Sequence, residues 1–337
     1  MSGGKPIVRK ILVVGLSVWG LLACSLICAA IVFWNAEPDE LEKKARVYWH
    51  DRTAESDDSL VMTLDEAGEP AVVSNIGRGY LIEGDAKEAI YYATADKDHA
   101  WSVHELFSGK EVHKLQSRNV LRVLAYYDSA VYYIEENAGH PRAVSEDQNG
   151  TVRLYPAAKY IETFSLDSDD DFPFGQNDGA EGLTIYRYTA TVSPDGKIAY
   201  CHESGAPWDG DSYSQGIYLL TPDMGETYIG EGSNIKWIGD DVLIYQGKGS
   251  DLTLYQYNVE TGETSCCLTS EGTGIAVDSI DPGSRFAVSG DESLYCIRGD
   301  KMGHAIYQLS LVSGEIRKIQ GINPMKFMDA VWVAISE

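Results

Sequence analysis

Apolar and polar positions alternate in short runs through most of this chain, and the runs come in pairs around an Asp-containing turn. The pairs are LIEGDAKEAIYY (81–92), VLAYYDSAVYYI (123–134), VSPDGKIAYC (192–201), WIGDDVLIY (237–245), SIDPGSRFAV (279–288) and FMDAVWVAI (327–335). With Asp85, Asp128, Asp195, Asp240, Asp281 and Asp329 as turn markers, the spacings are 43, 67, 45, 41 and 48 residues. Strand-rich units recurring every 40–50 residues predict a β-propeller, with one marker per blade.

A second recurrence runs out of phase with the first: a strand, then a Gly turn that usually ends in Gly-Glu. It appears in LVMTLDEAGE (60–69), VHELFSGKE (103–111), YLLTPDMGE (218–226), YQYNVETGE (255–263) and YQLSLVSGE (307–315), with a poorer copy in YIEENAGH (133–140). Glycine supplies the positive φ that a hairpin turn needs, so these are read as outer hairpins following the inner Asp hairpins. Two hairpins make a four-stranded blade. The sixth inner hairpin (321–337) lacks an outer partner, and the one unmatched outer hairpin lies in 46–75. The expectation is therefore a six-bladed all-β propeller whose last blade joins both ends, which removes open sheet edges. A β-sandwich of unrelated hairpins is the competing architecture.

The N-terminal segment breaks this pattern. Ile11 to Trp34 is a run of 24 residues without a charge, and about 20 suffice for a helix to span the hydrocarbon core. Lys5, Arg9 and Lys10 precede it, and Glu37, Asp39, Glu40 and Glu42 open the far flank, so the N-terminus is expected inside. The organisation read from sequence is a cytoplasmic N-terminus (1–10), a transmembrane helix (11–34), a polar linker (35–45) and the propeller domain (46–337). Two alternatives stay open: a cleaved signal peptide, and a lipoprotein with Leu21-Leu22-Ala23-Cys24 as its box. All three place the domain outside the cytoplasm.

Charge agrees with that placement. The net charge is −24, and only three of the 27 basic residues and none of the 51 acidic ones precede residue 35. So acidic a surface repels nucleic-acid phosphates and anionic lipid heads; it can attract basic proteins or divalent cations, while acidity alone mostly serves solubility. The six cysteines make no CxxC or Cys/His metal spacing. Cys24 and Cys28 fall in the apolar segment; Cys201, Cys266, Cys267 and Cys296 fall in predicted strands, where burial as free thiols is expected and one disulfide through Cys201 or Cys296 stays open. No GxSxG, P-loop, HExxH or Gly-rich dinucleotide motif is present. His99, His104 and His113 lie near one another in sequence and read as exposed strand histidines rather than metal ligands.

Two loops carry candidate chemistry. The long interval holds SLDSDDDFPFGQNDGAEG (165–182), where Asp167, Asp169, Asp171 and Asp178 form a weak calcium pattern. Phe172 stands where an EF-hand needs glycine, so a solvated acidic loop is the competing reading. The loop SGAPWDGDSYSQG (204–216) puts Trp208, Asp209 and Asp211 between two strands, a candidate contact for a ligand or partner; a Trp folded against the blade edge is the alternative.

Ser193-Pro194-Asp195-Gly196-Lys197, followed by Ile198-Ala199-Tyr200, resembles the repeat of TolB-type and dipeptidyl-peptidase-N-terminal-type propellers, the WD40-like group. Asp281-Pro282-Gly283 is a degenerate echo, and the other units keep the Asp and the apolar strand. The resemblance implies a propeller of six to eight blades used for protein docking. In the peptidases an α/β-hydrolase domain follows the propeller; this chain ends at Glu337 without one, so peptidase activity does not carry over. The expected role is a membrane-anchored binding or scaffolding module for an envelope protein or ligand. The alternative is an extracytoplasmic hydrolase or lyase acting on glycan or peptide.

Overall fold

In the computed structural model the chain divides into two units, residues 1–45 and 46–337. The described residues all lie in the second: 46–52, 59–65, 69–84, 89–138, 140–157, 190–204, 214–247, 253–269, 287–288, 293–300, 303–322 and 334–336. The apolar segment 11–34 and the linker 35–45 lie outside them. Among the described residues every regular element is a strand, and no helix is long and apolar enough to cross a membrane.

The strands pair as successive antiparallel meanders. β1 (Arg46–Arg52), β2 (Ser59–Leu64) and β3 (Pro70–Asn75) form the first. β4 (Tyr80–Gly84), β5 (Tyr91–Ala95), β6 (Trp101–Glu105) and β7 (Glu111–Lys114) form the second. β8 (Val120–Tyr127), β9 (Ala130–Asn137), β10 (His140–Asp147) and β11 (Val152–Leu154) follow. A short parallel pairing of Glu83 with Ala125 and Gly84 with Tyr126 joins β4 to β8, making one eight-stranded sheet.

β12 (Ala190–Val192), β13 (Ile198–Ser204), β14 (Ser214–Thr221) and β15 (Gly225–Ile238) continue the series. β15 is 14 residues long. It ends one meander and begins the next, which β16 (Val242–Gly247), β17 (Thr253–Asn258) and β18 (Thr264–Thr269) complete. β19 (Ala287–Val288), β20 (Ser293–Asp300), β21 (Gly303–Ser310) and β22 (Ile316–Ile322) form a separate sheet. Last, β23 (Ala334–Ser336) pairs antiparallel with β1, Arg46 opposite Ser336.

The first strands of successive meanders are neighbours in order: β4 with β8, β8 with β12, β12 with β15, β15 with β19, and β19 with β23. First strands such as β8 and β12 are therefore flanked on both faces by neighbouring sheets and buried there, which explains near-continuous apolar strands such as VLRVLAYY. Alternate residues serve different neighbours. Val123, Val131 and Tyr133 pack against Tyr80, Ile82 and Val103. Leu124, Tyr132 and Ile134 pack the other way, against Val192, Ile198 and Leu220. Across the next interface Ala199, Ile217 and Leu219 meet Trp237, Leu243 and Tyr245. Each fully buried aliphatic side chain contributes about 1.5–3 kcal/mol relative to exposure.

Three expectations need correction. In the unit around Asp128 the outer hairpin lies at VSEDQNGTVRL, where Asp147 N donates to Thr151 O and Gly150 has φ +76°; residues 133–140 instead join β9 to β10. In the fifth unit the Asp281 marker lies outside the described residues, and the paired strands β19 and β20 flank residues 289–292, eight to eleven residues beyond it. At the closure, the N-terminal end supplies three strands and the C-terminal end one among the described residues, rather than a hairpin from each. Cys201 and the adjacent Cys266 and Cys267 are free thiols on β13 and β18, with Cys266 exposed and Cys267 half-buried, as alternation on a strand requires.

Candidate functional site

Trp208, Asp209 and Asp211 lie between β13 and β14, outside the described residues; so do Asp167, Asp169, Asp171 and Asp178, between β11 and β12. Among the described residues no cluster of three or more His, Cys, Asp or Glu could hold a metal.

The structure instead assembles a charged cluster from the first strands of several meanders. Glu83 on β4 is buried, with 4% of its side chain exposed. Its Oε1 accepts from Lys236 Nζ of β15 at 2.6 Å and from Thr191 Oγ1 of β12 at 2.9 Å. Its Oε2 accepts from Thr191 Oγ1 at 2.7 Å and from Val192 N at 2.9 Å. Three donors therefore serve the carboxylate, the single Thr191 hydroxyl proton being shared between its two oxygens. Trp237 Nε1 donates to the Thr191 carbonyl at 3.3 Å, fixing β12 against β15.

Arg122 of β8 is buried beside this cluster. Burial draws its guanidinium below its ordinary range, while Tyr80 and Glu83 pull it back upward. Tyr80 is pushed up to about 12 by burial, with Arg122 opposing; its hydroxyl donates to Val123 O at 3.1 Å and accepts from Val123 N at 2.7 Å. A low-dielectric interior makes such charge-assisted contacts strong only while every partner is present. The arrangement holds charge in place between β4, β12 and β15.

A second polar site sits where β7 meets the β10–β11 hairpin. A cleft of about 400 Å³ is lined by Glu111, His113, Lys114, Gln116, Glu146 and residues 147–150. Glu146 is almost fully buried and takes Gln116 N at 3.1 Å, the Tyr133 hydroxyl at 3.2 Å and His113 Nε2 at 3.2 Å. A carboxylate only accepts, so Nε2 carries the proton in that bond. Burial first, then Glu146, pushes the Tyr133 hydroxyl strongly upward. His113 is thus a buried tie between meanders rather than an exposed strand histidine. His104 goes elsewhere, its ring stacked on Tyr92 and bonded to Ser102 Oγ at 3.1 Å.

The Pro194-Asp195-Gly196 turn is gripped by its neighbours. Tyr155 donates its hydroxyl to the Gly196 carbonyl, and a Cβ at Gly196 would lie 3.0 Å from the Tyr132 ring. Lys197 pairs with Asp195 and reaches the next unit's turn at Asp240 O (3.1 Å) and Asp241 Oδ1 (3.3 Å).

Sequence reading missed Glu83, Arg122, Thr191 and Lys236 as a group because 153 residues separate Glu83 from Lys236. A signal existed: a charge inside an otherwise apolar strand, as in YLIEG, VLRVLAYY and NIKWI.

No protein-family model matches the chain, and no curated protein matches it. Among solved structures, TolB from Acinetobacter baumannii aligns at a TM-score of 0.52 and 13% identity, over 87% of this chain and 66% of that one. An oligogalacturonate lyase in complex with manganese aligns at 0.46 and 12% identity, over 81% and 78%. The β-propeller domain of the Trilobed protease from Pyrococcus furiosus aligns at 0.41 and 11%, over 78% and 75%. At these identities the likeness is one of fold, and the TolB match carries it. The chain is a β-propeller protein. Its propeller is TolB-like, and it spans just under two thirds of the length of the TolB that it matches.

Proposed function

We propose that this chain is a membrane-anchored, extracytoplasmic six-bladed propeller that serves as a binding or scaffolding module for an envelope protein or ligand. The observation that carries the docking reading is the Glu83 cluster: the titratable groups brought together from different meanders are bonded to one another and tie β4, β12 and β15 together. Charge arranged this way makes a rigid platform. The six-blade count follows from assigning the first half of β15 to one blade and the second half to the next, with β23 completing the blade of β1–β3. The anchor rests on the uncharged run 11–34 and its basic flank, and the Trp208, Asp209 and Asp211 loop is the favoured contact. Calcium at Asp167, Asp169, Asp171 and Asp178 is a secondary proposal.

Crosslinking in intact cells followed by mass spectrometry tests the reading. Reproducible capture of one protein neighbour, weakened by Trp208→Ala at unchanged melting temperature, is expected. Capture of none, with turnover of a glycan or peptide pool, would establish the alternative hydrolase or lyase. That alternative draws on the polar His113 and Glu146 cleft. A phosphatase fused after Glu337 should be active; an inactive fusion overturns the topology.

A further inference from the structure

β11 is the last strand of its eight-stranded sheet among the described residues. Its backbone orientation follows from two flanking hydrogen bonds, Tyr155 N to Ala143 O and Asp147 N to Thr151 O, both 3.1 Å. In an antiparallel ladder bonded pairs alternate with unbonded ones. Residues 151, 153 and 155 therefore face β10, and the N–H and C=O groups of Val152 and Leu154 point out from the open edge.

The side chains there are unusual for an edge. Val152, Arg153 and Leu154 are all exposed, Val152 at 45% and Leu154 at 49%. Arg153 bonds Asp223 at 3.2 Å, which brings the β14–β15 turn alongside, and the next residue in that turn, Met224, is 77% exposed. Edges are normally blunted by brevity, charge, proline or bulges, and β11 is brief at three residues. Here the one charge on the strand is paired with Asp223.

We infer that β11 is a docking edge that receives an extended segment of a basic partner protein by strand addition, with the partner's apolar side chains against Val152 and Leu154, which share one face of the strand. The sign of the partner follows from charge. The receiving chain has a net charge of −24. Val152 lies directly opposite the buried Glu146, beside a cleft whose other carboxylates are Glu111 and Asp147 against the single Lys114. A second copy would bring the same negative charge to the same edge, which disfavours it. This inference rests on the docking reading above.

The test uses the full-length chain in detergent and two heptapeptide probes, one of alternating valine and lysine and one of alternating valine and glutamate, followed by fluorescence anisotropy. The lysine peptide is expected to bind at least about tenfold more tightly than the glutamate peptide. Leu154→Pro removes only an outward N–H and should weaken lysine-peptide binding by about tenfold with little change in melting. If Leu154→Pro fails to fold, Val152→Lys is read instead, with the same expected loss. Equal binding to wild type and variant, or no preference for the lysine peptide, overturns the inference, as does self-association in sedimentation that the variant abolishes. A photocrosslinker at Val312, an exposed residue of the β21–β22 turn, that captures a protein in cells, while one at 154 captures none, rejects this edge and leaves docking intact. Capture at neither position rejects both.

Discussion

Lys236 donates to Glu83 at 2.6 Å across 153 residues of chain, so two strands that meet only in the finished fold hold each other's charge. Because both groups are largely buried, neither tolerates loss of the other.

Glu83→Gln should therefore destabilise the domain by about 3 kcal/mol, the low end for breaking a buried pair because Lys236 retains some exposure. Lys236→Met should cost a similar amount, and the double variant should cost less than the sum. Urea unfolding of the two single variants and the double variant measures this; strict additivity would show that the two groups do not interact.

The Gly196 turn gives a second test. Gly196 has φ +90°, and its missing Cβ leaves room for Tyr132. Gly196→Ala should cost about 2 kcal/mol or more from backbone strain and crowding. Tyr155→Phe should cost about 1–2 kcal/mol by leaving the buried carbonyl without its donor. Thermal melts of both variants check this, and a neutral Gly196→Ala would show that the turn relaxes freely.

Acid should weaken the fold through His202. Burial lowers the affinity of its ring for a proton, so the folded state favours the neutral form. On acidification through the ordinary histidine range near 6.5, the unfolded chain takes up a proton before the folded one. The stability held above that range is lost as pH falls toward the lowered folded value, by at most about 1.4 kcal/mol per pH unit for one proton. His202→Gln should flatten the fall in melting temperature between pH 7 and pH 5. An unchanged slope would remove His202 from the account.

Deleting residues 334–337 takes β23 from β1 and should lower the single unfolding transition of the whole domain, rather than trim a tail. Calorimetry decides it. A truncated chain that keeps the wild-type melting temperature would show that this pairing contributes little.

Local features were the legible ones. Gly109, Gly225, Gly262 and Gly314, marked by their Gly-Glu or related turns, all have positive φ, and Asp128 with Ser129 forms a two-residue turn with both φ positive. Each of these depends on a few adjacent residues. The hairpin at Asp147–Gly150 was hidden because Asn149-Gly150 lacks the following Glu that marked its counterparts. The Glu83 cluster was hidden for a different reason. Its members come from separate units, and no spacing along the chain encodes which strands become neighbours around the ring. The loops that looked most site-like, around Trp208 and Asp169, lie outside the described residues, so their geometry adds nothing to what the sequence says.

β15 runs from Gly225 to Ile238 with one irregularity, a slip of pairing register between Ser233 and Lys236 where Asn234 has φ +50°, and at Gly232 a Cβ would come within 2.3 Å of the Gln246 carbonyl. Mechanically this strand is a shared beam with a joint at that bulge. Pulling on β14 loads β16 through the joint, with no loop between them to absorb the strain. The two halves of that seven-stranded sheet should consequently yield together under force. New chain ends cut between residues 230 and 234 should be far less tolerated than ends placed at the exposed turn near Ser313.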